Sequence, residues 1–135
     1  MNIWEAAAGY LVGAPVRVRE VKQLGSFRGL AFLEPTGQRV IELKPGQDND
    51  DKLNTFLHEI SHHRNDEAQP IPDNFEQIAA YIERPENQVD YLTKRCEIRA
   101  DVFAELMREQ IDAATWPHAM DLEFKLRIWL QSTNR

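Results

Sequence analysis

The stretch LNTFLHEISH, Leu53 to His62, carries two helical patterns at once. Leu53, Phe56, Leu57 and Ile60 fall at i, i+3, i+4 and i+7, the stripe by which a helix seals itself onto a core. His58 and His62 flank that stripe, one turn apart. Side chains at i and i+4 lie one above the other, so a fold that buries the apolar residues must also hold two imidazoles together at the edge of a buried surface. Asp48, Asn49 and Asp50 supply N-cap candidates for this helix.

The rest of the chain supplies the surfaces against which that helix packs. IWEAAAGYLV (3–12) reads as a short helix closed by Gly13 and Pro15. VRVREVKQL (16–24), GLAFLE (29–34) and QRVIEL (38–43) read as strands, the last two joined by the turn PTG, which gives a three-stranded antiparallel meander. RNDEAQPIPDN (64–74) holds two prolines and reads as a loop, FEQIAAYI (75–82) as a short helix, and ERPEN as a second break. Val89, Leu92, Cys96, Ala100, Phe103, Met107 and Ile111 then form one apolar stripe along a long helix. Pro117 opens a last helix that runs through LEFKLRIWL to about Gln131. No repeat or internal boundary interrupts this order, so residues 1–135 read as a single α+β domain, a small antiparallel sheet packed on a bundle of helices.

Composition narrows the function. With 135 residues, 42% hydrophobic and 28% charged, the chain can build a core without a disulfide or a structural metal, so a bound metal would serve function. The net charge is -6 and the basic residues are scattered, which argues against direct nucleic-acid binding. One cysteine, Cys96, allows no internal disulfide, and no signal-peptide pattern is present, which points to the cytoplasm. No apolar run reaches the roughly 20 residues of a membrane span; AAAGYLVGAPV is broken by Gly9, Gly13 and Pro15.

His58-Glu59-Ile60-Ser61-His62 is the pattern H-E-x-x-H. Two imidazoles one turn apart can reach one ion from the same side, and Glu59, about 100° round the helix, stands beside that ion, where a general base belongs. His63 points about 100° away from His62 and suits solvent or a supporting position better than ligation. A catalytic zinc site needs a third protein ligand and an open position. His118 and a glutamate of the long helix are the candidates. His118 has no partner at ligand spacing. Glu97, Ala100, Asp101 and Ala104, at i, i+3, i+4 and i+7, form a second stripe whose alanines allow close approach of another helix. On that face Glu97 can bind the ion, and Asp101 can accept the ring N–H of a ligating histidine. The competing reading is a solvated charged face beside a fortuitous motif.

His58-Glu59-x-x-His62 followed by Glu97-Ile98-Arg99-Ala100-Asp101-Val102-Phe103-Ala104 resembles the zinc metallopeptidases of the ImmA/IrrE family, a gluzincin-like group of bacteria and phages. The resemblance covers about residues 16–110 and implies a zincin-like fold, with the first glutamate of E-x-x-A-N/D-x-F-A as third ligand. It departs from the family in the long gap of 35 positions from His62 to Glu97 and in Ser61 where glycine is common.

The expected chemistry is peptide hydrolysis, with Zn2+ on His58, His62 and Glu97, and Glu59 as general base. Tyr81, Tyr91 and His63 are candidate oxyanion donors, and strand 38–43 is a candidate sheet edge for an extended peptide. The resemblance implies a protein substrate, a transcriptional repressor among the options. The alternative is a non-proteolytic zinc-binding regulator or partner-binding module of a phage or mobile element.

Overall fold

The computed structural model describes residues 2–22, 24, 27–70, 95–115 and 121–133. Helix α1 (Ile3–Val12) begins with a capping box, in which Asn2 accepts from the Glu5 N–H and Glu5 reaches back to the Asn2 N–H. It ends at Gly13, whose φ of 82° is the left-handed conformation that closes a helix. Strands β1 (Val16–Glu20), β2 (Gly29–Leu33) and β3 (Arg39–Leu43) follow, then helix α2 (Asn49–Arg64) and a two-residue strand β4 (Gln69–Pro70). Helices α3 (Arg95–Ala114) and α4 (Leu122–Thr133) complete the described elements. The class is α+β, as the sequence reading has it. Among the described residues no helix is long and apolar enough to cross a membrane.

The sheet differs from the expected antiparallel meander. Its order is β1-β3-β2-β4, with β1 parallel to β3, β3 antiparallel to β2, and β4 parallel to β2. The expected hairpin between β2 and β3 is present, turning through Gly37 at a φ of 88°. The first strand, however, crosses to the far side of β3, and the sheet is mixed. Burial explains the placement. In β3, Val40, Ile41, Glu42 and Leu43 are all buried, the pattern of a strand covered on both faces, whereas β1 alternates buried Val16 and Val18 with exposed Arg17 and Arg19 and suits an edge. Strand 38–43 is therefore central and cannot take up a peptide along its side, contrary to the sequence expectation.

The core lies between α1, the sheet and the three later helices. Trp4 packs edge-on against Phe56 at a ring separation of 4.9 Å, joining α1 to α2, and Ala104, Met107, Ile111, Leu126 and Trp129 extend the same cluster to α3 and α4. The long helix keeps most of its expected apolar stripe, with Ala100, Met107 and Ile111 buried and Phe103 half-buried. Ala104 is buried with them. The two small alanines let α3 lie close along α2, as expected of that face. Val89, Leu92, Pro117, His118 and the expected helix 75–82 lie outside the described residues.

Candidate metal centre

Helix α2 is the central element. Asp48 caps it by accepting from the Asp51 N–H at 2.8 Å, and Leu53, Phe56, Leu57 and Ile60 are buried as their spacing requires. Beyond Phe56 every residue to His63 is buried, because the sheet lies on one side of the helix and α3 on the other. His58 and His62, 7% and 8% exposed, sit at the margin of that enclosure. His58, Glu59 and His62 each present a ligand atom within 4.8 Å of the other two, and all three are buried, so the group can hold a metal ion.

Helix α3 brings a second carboxylate to the same point. Glu97 Oε2 lies 2.8 Å from His58 Nε2 and 3.2 Å from His62 Nε2, and the two ring nitrogens are 3.2 Å apart. Asp101, one turn on, lies with Oδ1 2.7 Å from His58 Nδ1. A carboxylate only accepts, so that Nδ1 carries the hydrogen and Nε2 is the nitrogen turned inward. Two carboxylates thus compete for the role of third ligand. Glu97 makes the set with both rings at hydrogen-bond distance, while Glu59 lies within 4.8 Å of both.

Glu59 is enclosed differently. It is 5% exposed, and its Oε2 has no hydrogen-bond partner among the described residues. Gly29, at the start of β2, forms its flank: a Cβ there would lie 3.2 Å from Glu59 Cγ and 2.6 Å from Thr55 Cγ2. Glycine is what allows the strand to approach this part of α2. The β2 edge from Gly29 to Ala31 has no strand partner among the described residues, since β4 pairs only with Phe32 and Leu33.

The electrostatics follow from this geometry. Burial by itself would lower the His58 pKa. The Glu97 hydrogen bond, the charges of Glu59 and Glu97, and the Asp101 hydrogen bond outweigh burial and raise it to about 9. Burial and the His58 charge would lower His62 too, but its Glu97 hydrogen bond and the charges of Glu59 and Glu97 raise it. Burial pushes Glu97 up, but its hydrogen bonds to both imidazoles dominate and hold it down at about 2. Burial raises Glu59 above the usual carboxylate range, against the pull of the two histidines. The same field that retains a proton on His58 favours any cation that replaces it.

Two placements were not expected. His63 is buried, not solvated, and belongs to the sheet: its Nε2 donates to Val40 O at 2.8 Å, and its Nδ1 faces Arg39 Nη1 at 3.3 Å. Both ring nitrogens are engaged there, which leaves His63 no free donor for an oxyanion. Tyr81 and Tyr91 lie outside the described residues. The second is Glu67, absent from the sequence reading, whose Oε1 lies 3.3 Å from His62 Nδ1. Its only sequence signal is an acidic residue just beyond the end of the motif helix. Comparison with known protein families, characterised proteins and solved structures finds no match.

Proposed function

We propose that this chain is a zinc-dependent peptidase of zincin-like fold, with His58, His62 and Glu97 as the metal ligands and Glu59 as the general base. The observation that carries the reading is the buried Oε2 of Glu59, without a hydrogen-bond partner among the described residues, beside three converging donor atoms. An orphaned carboxylate oxygen costs stability in a fold that gains nothing from it. Water or substrate in the site is the natural partner.

The donor set suits zinc. Two imidazole nitrogens and one carboxylate oxygen are its usual catalytic ligands, and donors held tetrahedrally at about 2.0–2.2 Å lie roughly 3.3–3.6 Å from one another. The triangle of 2.8, 3.2 and 3.2 Å needs only a small expansion to reach that spacing. Bound zinc would acidify a water and polarise a substrate carbonyl. The protein's own residues do the rest. Glu59 Oε2 takes a proton from the attacking water and later delivers it to the leaving amine. Its raised pKa suits it to hold that proton between the two steps. Asp101 fixes the His58 ring. The β2 edge at Gly29–Ala31, without a strand partner among the described residues and lying against Glu59, would offer backbone hydrogen bonds to an extended peptide. The resemblance of residues 58–62 and 97–104 to the ImmA/IrrE peptidases supports the same reading and makes a repressor a candidate substrate.

The test is a proteome-derived peptide library incubated with zinc-loaded protein. Cleavage by the wild type that is lost with a chelator and lost in Glu59→Gln, while that variant still holds zinc, is the expected result. A library left intact by zinc-loaded wild type would remove the peptidase reading and favour a non-proteolytic metal-binding regulator.

A further inference from the structure

The end of α2 is built to return the chain across its own last turn. The Asn65 N–H donates to Ser61 O at 3.0 Å, and the Asn65 side chain donates to the same oxygen at 2.9 Å and to Ser61 Oγ at 3.2 Å. Asp66 then takes a φ of 54°, the left-handed conformation that aspartate tolerates better than most residues. The Glu67 N–H closes the reversal on His62 O at 2.8 Å. Arg39 of β3 holds the turn from below, donating to Asp66 Oδ1 at 2.9 Å and to His63 O at 3.2 Å.

The consequence is where the Glu67 side chain goes. One oxygen, Oε1, lies 3.3 Å from His62 Nδ1, and the other, Oε2, accepts from Arg99 Nη1 at 3.1 Å. Its side chain is mostly buried, at 18% exposure. A carboxylate cannot donate, so His62 Nδ1 carries the hydrogen and Nε2 faces Glu97 and His58. His62 is thereby arranged as His58 is by Asp101, with the outer nitrogen on a carboxylate and the inner nitrogen on the shared centre. Helix α3 controls both arrangements, through Asp101 directly and through Arg99 by way of Glu67.

We propose that Glu67, anchored by Arg99, is a positioning residue that fixes the tautomer and ring plane of His62 for metal binding. The inference rests on the metal reading above and extends it to a residue outside both motifs. Partners of ligating histidines tune metal affinity, and their loss costs about 10- to 100-fold.

The test is the Zn2+ dissociation constant, measured by competition with a chromophoric chelator, for wild type, Glu67→Ala, Glu67→Gln and Arg99→Met. Melting of each protein in excess chelator controls for the fold. Glu67→Ala is expected to weaken zinc binding about 10-fold or more. Glu67→Gln keeps an acceptor for the Nδ1 hydrogen and is expected to restore most of the affinity, with Arg99→Met between the two. A purely structural role would lower the melting temperature in chelator and leave the dissociation constant of folded protein unchanged. Equal zinc affinity for wild type and Glu67→Ala would overturn the proposal, as would a Gln variant as weak as the Ala variant. A wild type that takes up no zinc would instead remove the metal reading itself, and is told apart because all four proteins would then behave alike.

Discussion

His62 and His63 are neighbours on one helix, both buried, and electrostatically opposite. His62 faces carboxylates at 3.2 and 3.3 Å, and its pKa rises despite burial. His63 faces a carbonyl and a guanidinium, and burial pushes its pKa down. The His63 tautomer follows from its partners: Nε2–H donates to Val40 O, and bare Nδ1 accepts from Arg39. A neutral ring there ties α2 to the centre of the sheet. One helix thus uses the same side chain for two purposes, with 100° of rotation and the charge of the neighbouring element deciding which. Burial alone does not separate the two rings; the charge of the groups that enclose each one does.

The comparison breaks most visibly on metal occupancy. His62→Ala should abolish stoichiometric zinc binding, whereas His63→Leu should bind zinc close to wild type; equal loss in both, by metal analysis of dialysed protein, would erase the distinction. His63→Leu should instead lower stability by about 1–3 kcal/mol, because Val40 O loses its buried donor, and urea denaturation of chelator-treated protein would detect it. Gly29→Ala sharpens the contrast from the sheet side. The new methyl has no room beside Thr55, so a stability loss of about 1–3 kcal/mol is expected, with turnover reduced and zinc affinity retained. An unchanged melting temperature would show that this contact relaxes freely.

The smallest effects are in the pH dependence of the chelator-treated protein, where the two faces have opposite signs. The stabilisation from His58, raised to about 9, is complete below its unfolded pKa near 6.5 and fades as pH rises through about 9. Glu97, held at about 2, contributes fully above its unfolded pKa near 4.5 and loses that contribution as pH falls through about 2. His63, lowered, contributes above pH 6.5 and loses it as pH falls through its depressed value. His58→Gln should therefore flatten the alkaline limb of a stability–pH curve, and His63→Gln the acid side below about 6.5. The same limb flattening in both variants would contradict the assignment. Because protons compete for His58, zinc affinity should keep rising up to about pH 9, well beyond the ordinary histidine range.

Local periodicity made much of this legible. The stripe of α2, the i, i+4 pair His58 and His62, and the small-residue face of α3 follow from helical geometry, and each residue stands on the side that geometry assigns. The hairpin of β2 and β3 followed from its turn. The crossing of β1 to the far side of β3 did not, because alternation specifies a half-buried strand and says nothing about which neighbour it takes. The burial of His63 is not legible in a single apolar stripe, because such a stripe describes a helix with one covered face and α2 has two. Glu67 lies in a segment without periodicity and reaches His62 only through the left-handed turn at Asp66, a conformation that no residue pattern announced.

The most direct measurement is the zinc content of wild type, His58→Ala and Glu97→Ala after chelation, reloading and dialysis. Convergence of α2 and α3 on one cation requires about one zinc per wild-type chain and a large loss in both variants. A Glu97→Ala protein loaded as fully as wild type would contradict it.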